Sequence, residues 1–151
     1  MFLGFGEVMM RVSPGQNLRW QQALPGPVEV TWGGGEANVC ASLAMYGHPV
    51  RYLTALPDNP LSRSLEQSLR GLGIDTSHIY WREQGRLGVY YVEVGANQRG
   101  STVLYDRDQS AVSLASVEEY DFKTALEGVD WVHLSGITPA ISEAAFCANL
   151  E

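Results

Sequence analysis

Three consecutive glycines, Gly33-Gly34-Gly35, stand in the stretch Trp32-Gly33-Gly34-Gly35-Glu36-Ala37-Asn38, between an alternating strand-like run and the start of a helical pattern. Glycines at such a junction leave backbone N–H groups bare, so an anionic or hydroxyl-rich ligand can approach without meeting a side chain. A tight strand-to-helix connection capped by Asn38 or Glu36 would use the same residues, and spacing alone leaves both readings open. Two nucleotide-binding patterns are excluded, because no Lys follows as in GxxxxGK[ST] and the spacing is not GxGxxG. Glu7, at the end of the first apolar run, either faces a ligand or is an ordinary edge carboxylate. His133 lies in an apolar strand and reads as a core histidine, not a base. Cys40 and Cys147 lack the CxxC or Cys/His spacing of a zinc site, so no metal site is expected and both read as buried free thiols.

The elements that must position these residues follow from periodicity. Phe2 to Phe5 is a short apolar run suited to a buried strand, and Met9 to Val12 either extends it or sets off in a new direction. Val28 to Trp32 alternates with period two. From Glu36 the apolar residues Ala37, Val39, Cys40, Leu43, Ala44 and Met45 recur at helical spacing, and Gly47 stands where the helix would stop. Val50 to Leu56 then predicts a strand, Leu61 to Leu72 an amphipathic helix, and Gly88 to Val94 with Ser101 to Arg107 a hairpin whose loop exceeds two residues. Ser113 to Glu119 starts a helical or capped segment, Asp130 to Ser135 reads as a further buried strand, and a last helix opens near Glu143. Strand alternating with helix means an α/β domain with a parallel sheet, and the strands at Val28 to Thr31 and in the hairpin belong to a small peripheral sheet.

Composition fits that class. Of 151 residues, 45% are apolar, enough for one sizeable core. Ten Lys and Arg against 17 Asp and Glu give a net charge of −7 with no basic run, which excludes a nucleic-acid partner. No stretch approaches the length of a membrane span, and the opening residues meet Glu7 too early for a leader peptide, so the expected location is the cytoplasm.

The glycine run together with the helical stretch after it, Gly33 to Gly47, resembles the first signature of the PfkB, or ribokinase-like, family of sugar kinases. Three more stretches are similar to its 2-keto-3-deoxygluconate kinases: Gly6-Glu7-Val8-Met9-Met10-Arg11-Val12-Ser13-Pro14, Gly95-Ala96-Asn97-Gln98-Arg99 leading into Tyr105-Asp106-Arg107, and His133-Leu134-Ser135-Gly136-Ile137-Thr138-Pro139. The resemblance runs in order over nearly the whole chain. It implies a ribokinase-like, Rossmann-like parallel sheet flanked by helices with a small β-sheet lid, a sugar bound between them, and lids that pair across a homodimer. It carries sugar contact onto Gly34, Asn38, Tyr90, Tyr105, Arg107 and Ile137. Arg107 suits the carboxylate of a keto acid sugar, and Tyr90 and Tyr105 offer hydroxyls on rigid rings. Their alternatives are a surface ion pair of Arg107 with Asp106 or Asp108 and cross-strand packing of the tyrosines.

One departure bears on mechanism. The family's catalytic base and anion hole lie in a late Gly-Ala-Gly-Asp segment, and no such segment occurs among these residues. Residues 1–151 therefore read as the N-terminal, sugar-binding part of a single kinase domain. ATP and Mg²⁺ are expected in a complete enzyme, and neither tight nucleotide binding nor activity is expected of this chain alone. A catalytically silent sugar-binding or interaction module is the alternative.

Overall fold

A computed structural model describes every residue from Met1 to Glu151. In chain order the elements are β1 (Phe2–Phe5), β2 (Met9–Ser13), α1 (Trp20–Ala23), β3 (Glu29–Gly33), α2 (Gly35–Met45), β4 (Val50–Pro57) and α3 (Pro60–Gly71). They continue with β5 (Ile79–Arg82), β6 (Val89–Glu93), β7 (Thr102–Asp106), α4 (Ala111–Leu114), α5 (Phe122–Ala125), β8 (Trp131–His133) and α6 (Glu143–Leu150), with single 3-10 turns at Val117–Glu119 and Thr138–Ala140.

The strands form two sheets. The main sheet runs β5-β4-β1-β8 with every pair parallel, and the lid runs β3-β2-β6-β7. In the lid β2 pairs antiparallel with β3 and parallel with β6, and β6 and β7 form the antiparallel hairpin. Met9 to Val12 thus departs from the direction of β1 and enters the other sheet, so the crossing Gly6-Glu7-Val8 is where the two sheets meet.

Side-chain alternation explains the main sheet. Leu3, Phe5, Leu53 and Ala55 face one layer, built with α4 and α6 residues such as Val112 and Ala148, while Val50, Tyr52 and Leu56 face the other, built with Cys40, Leu65 and Leu69. Close helix approach is permitted at Gly4, where any Cβ would collide with the Cys40 sulfur. Burial among these residues pushes the Cys40 thiol up to about 12, so it stays protonated. Helix ends follow ordinary chemistry: Asn59 accepts from the Ser62 N–H at 3.0 Å with Pro60 as the first helical residue, and Gly47 takes φ +83° just after α2.

Several sequence expectations need correction. The Asp130 to Ser135 strand shrinks to β8 and is not buried. It is the outer strand of the main sheet, with Trp131 66% exposed and Val132 and Leu134 also exposed, because periodicity cannot tell an edge from a centre. Cys147 is exposed, whereas Cys40 is buried as expected. His133 is half-buried, stacked on Phe2 with ring centroids 6.1 Å apart. At Ser113 to Glu119 the capped alternative holds: α4 begins earlier, at Ala111, and ends at Leu114, and Ser116 and Glu119 form a capping box around a single 3-10 turn.

Beside β8, a cleft of about 250 Å³ is lined by Phe122, Leu126, Val132, Leu134 and Leu150. Apolar surface next to an unpaired parallel edge is a site for association. The purified chain should self-associate as its concentration rises in sedimentation velocity runs, and Val132→Lys should reduce this. A monomer unfolding in one sharp cooperative thermal transition would contradict it.

Candidate functional site

The glycine run takes its place from the crossing between the sheets. Gly33 closes β3, Gly34 precedes α2, and Gly35 is the first residue of that helix. A Cβ on Gly34 would collide with the carbonyl oxygen of Glu7 and lie 3.2 Å from the Val8 Cα, so this backbone can approach the crossing only as glycine. A Cβ on Gly33 would meet the Tyr90 hydroxyl, whereas Gly35 faces open space. The capping reading of Asn38 and Glu36 does not hold, because the residue before α2 is Gly34 and no side chain caps it. Asn38 is exposed instead, and its N–H donates to the Gly34 carbonyl at 2.9 Å.

Two carboxylates lie under this junction. Glu36 is 2% exposed, and its Oε1 accepts from the hydroxyl of Ser135 and, at 3.0 Å, from that of Thr138. Thr138 Oγ1 in turn accepts from the Glu7 N–H at 3.3 Å. Glu7, 3% exposed, pairs through Oε2 with an Arg107 terminal nitrogen, and its Oε1 is buried without a hydrogen-bond partner. Burial pushes the Glu7 carboxyl above its ordinary value; Ser110 and Arg107 oppose that, and the Glu36 charge adds to it.

Arg107 extends from the end of β7 and is largely covered, with its Nε buried and unpartnered. The alternative of a surface pair with Asp106 or Asp108 is overturned: Asp106 pairs with Arg86, and the partner of Arg107 is Glu7, across a hundred residues. Tyr90 and Tyr105 are direct cross-strand partners, with ring centroids 5.9 Å apart and planes inclined at 35°. Their packing and their place at the cavity therefore coexist. The Arg107 guanidinium sits 5.8 Å from the Tyr105 ring centre.

All six residues named from the sequence, Gly34, Asn38, Tyr90, Tyr105, Arg107 and Ile137, line one cavity of about 200 Å³ between the lid and the ends of the main sheet. Ile137 is half exposed at its rim, on the loop that Ser135 and Thr138 fasten to Glu36. Glu7, Met9, Gly35, Glu36 and Thr138 complete the lining. Of these, local spacing offers Glu36 only as a cap, and Thr138 carries no signal of its own. The arrangement combines one cation, two carboxylates, two phenol hydroxyls and bare backbone, a set suited to a small polyhydroxylated ligand.

The model of the pfkB family of carbohydrate kinases matches residues 3–151. The chain belongs to that family. Against the 2-dehydro-3-deoxygalactonokinase of Haloferax volcanii it is 36% identical over 139 residues, covering 92% of this chain and 42% of the relative. The 2-dehydro-3-deoxygluconokinase of Thermoproteus tenax is 32% identical over 113 residues, with 74% and 34% covered. The crystal structure of 2-dehydro-3-deoxygluconokinase from Thermotoga maritima superposes with a TM-score of 0.92 at 41% identity, covering 98% of this chain and 45% of that one. The chain thus spans less than half the length of these pfkB relatives, and its fold is the ribokinase-like arrangement of parallel sheet, flanking helices and lid. No helix is long and apolar enough to cross a membrane.

The glycine geometry is testable by a paired substitution. Gly34→Ala should cost about 1–3 kcal/mol, because a backbone carbonyl cannot move aside. Gly35→Ala, facing open space, should change stability by no more than about 0.5 kcal/mol. Urea unfolding of both variants checks this, and equal midpoints would refute the close approach at Gly34.

Proposed function

We propose that this chain is the sugar-recognising part of a kinase acting on 2-keto-3-deoxygluconate or a closely related keto acid sugar. The observation that carries the reading is Arg107, a largely buried cation on the lid wall of the cavity beside Tyr90 and Tyr105. A neutral sugar needs no such cation, whereas a planar guanidinium matches a carboxylate. Gly34 and Asn38 would offer backbone and amide groups to the sugar hydroxyls, and Ile137 would close the rim. The names of the pfkB relatives, kinases of two 2-dehydro-3-deoxy sugar acids, support the same substrate class.

ATP and Mg²⁺ belong to this reading as groups of a complete kinase, supplying the transferred phosphoryl group and neutralising its charge. No group of three or more His, Cys, Asp or Glu side chains is placed here to hold a metal ion, and no Gly-Ala-Gly-Asp occurs among these residues. No phosphoryl-transfer step is therefore assigned to its side chains. A sugar-binding module without turnover is the alternative reading. The exposed strand β7, with Leu104 65% exposed, is the surface through which two lids would pair in either case.

Two measurements test the proposal. Calorimetric titration should show the keto acid sugar binding, and Arg107→Ala should weaken it roughly 30- to 1,000-fold, the loss of a charge-assisted bond costing about 2–4 kcal/mol. A neutral ketose should lose much less, and Arg107→Lys should keep the charge but not the planar fork. Unchanged affinity in Arg107→Ala would remove the basis for an acidic substrate. A coupled ADP assay on the chain alone should show no turnover, since no carboxylate here occupies the family's base motif. Turnover by protein free of contaminating kinase would overturn that expectation.

A further inference from the structure

The cavity holds two carboxylates, Glu7 and Glu36, against the single guanidinium of Arg107. Glu36 is engaged by the hydroxyls of Ser135 and Thr138, but Glu7 leans on Arg107. Its other oxygen has no partner, and neither does the Arg107 Nε. The groups facing Glu7 are Arg107 from the end of β7, Ser110 at the start of α4, Glu36 from α2, Tyr52 from β4 and Tyr120 after the 3-10 turn. Arg107 is the only cation among them.

An acidic sugar bound at Arg107 would bring a second carboxylate onto the guanidinium that Glu7 already occupies. Two carboxylates sharing one buried site do not both stay ionised, and the weaker acid takes the proton. A 2-oxo acid is a far stronger acid than a glutamate side chain. Burial raises the Glu7 carboxyl further even before a ligand arrives.

Resting on the keto acid sugar reading above, we propose that Glu7 takes up one proton when the sugar acid binds, releasing the Arg107 fork to the incoming carboxylate. The proton comes from solvent and forms one O–H bond on Glu7. The charge-assisted bond from Arg107 passes from Glu7 to the ligand, and no other bond changes. Glu7 is then a specificity-determining residue. It keeps Arg107 paired in the empty site and yields it only to an anion, while a neutral sugar leaves the pair intact.

Proton counting by calorimetry tests this. The 151-residue chain is titrated with 2-keto-3-deoxygluconate at pH 8 in buffers of differing ionisation enthalpy, and with its methyl ester as a neutral control. The wild type should take up about one proton per sugar acid and none with the ester, so its affinity for the acid should fall about tenfold per pH unit in this range. Glu7→Gln should take up none, lose most of that pH dependence, and bind the acid at least as tightly at pH 8. Measurable binding of the sugar acid with no proton uptake by the wild type overturns the proposal and leaves the substrate reading standing. Uptake that persists in a folded Glu7→Gln overturns the assignment to Glu7. Should that variant not fold, the wild-type count with acid and ester still decides whether protonation accompanies the anion. Absence of binding by either sugar form removes the substrate reading and this proposal with it.

Discussion

A buried carboxylate with hydroxyl partners and no ion pair organises this molecule. Glu36 sits in the first turn of α2, where the positive end of the helix favours an anion, and its charge is met by Ser135 and Thr138. Room for it exists only because residue 6 is glycine, since any Cβ there would collide with the carboxyl group. Thr138 passes the contact on by accepting from the Glu7 N–H. One side chain thereby ties together the start of α2, the crossing between the sheets and the loop after β8. These segments supply Gly34, Asn38, Glu7 and Ile137, so the cavity's shape depends on a contact spanning about a hundred residues of sequence.

The lid meets the body through apolar contacts of Met10 and Trp32 and, at the end of β7, through an ion pair. The main sheet is held by apolar layers on both faces, whereas the end of β7 reaches the crossing through the Arg107 and Glu7 ion pair. A pair this covered contributes little net stability, because each charge loses its hydration before gaining its partner. Its effect is positional. It places a guanidinium at the lid wall of the cavity, over the edge of the tyrosine pair, where an exposed arginine would sample many rotamers.

Much of this was legible in the sequence because it is periodic. Alternation at Val28 to Trp32 and in the hairpin, helical spacing after Glu36, and the Gly47 stop each correspond to an element found in place. What escaped depends on neighbours that are remote in the chain. Whether Asp130 to Ser135 is central or outermost is decided by the strands beside it, not by its own residues. The break after Leu114 follows from local caps at Ser110 and Ser116 that interrupt a run otherwise helical in composition. Glu36 looked like a cap because such a role needs only local spacing, while its real partners lie about a hundred positions away. The family resemblance named Gly34, Asn38, Tyr90, Tyr105, Arg107 and Ile137 together, and the fold brings them around one cavity. It assigned no role to Glu7, whose two readings the sequence left equal.

The charge balance of that cavity also limits which ligands can bind without cost. Leaving the Glu7 carboxylate buried after its guanidinium has turned away would cost about 3–5 kcal/mol, comparable to everything a single charge-assisted contact to the ligand returns. Neutralising Glu7 instead costs about 1.4 kcal/mol for each unit by which solution pH exceeds its pKa, and burial has already shortened that distance. A ligand without a carboxylate gains nothing from either, since it cannot replace the ion that Arg107 would give up. On the proposed reading, the pair that keeps the empty site free of an unpaired cation yields Arg107 to an anionic sugar, whereas a neutral one leaves it in place.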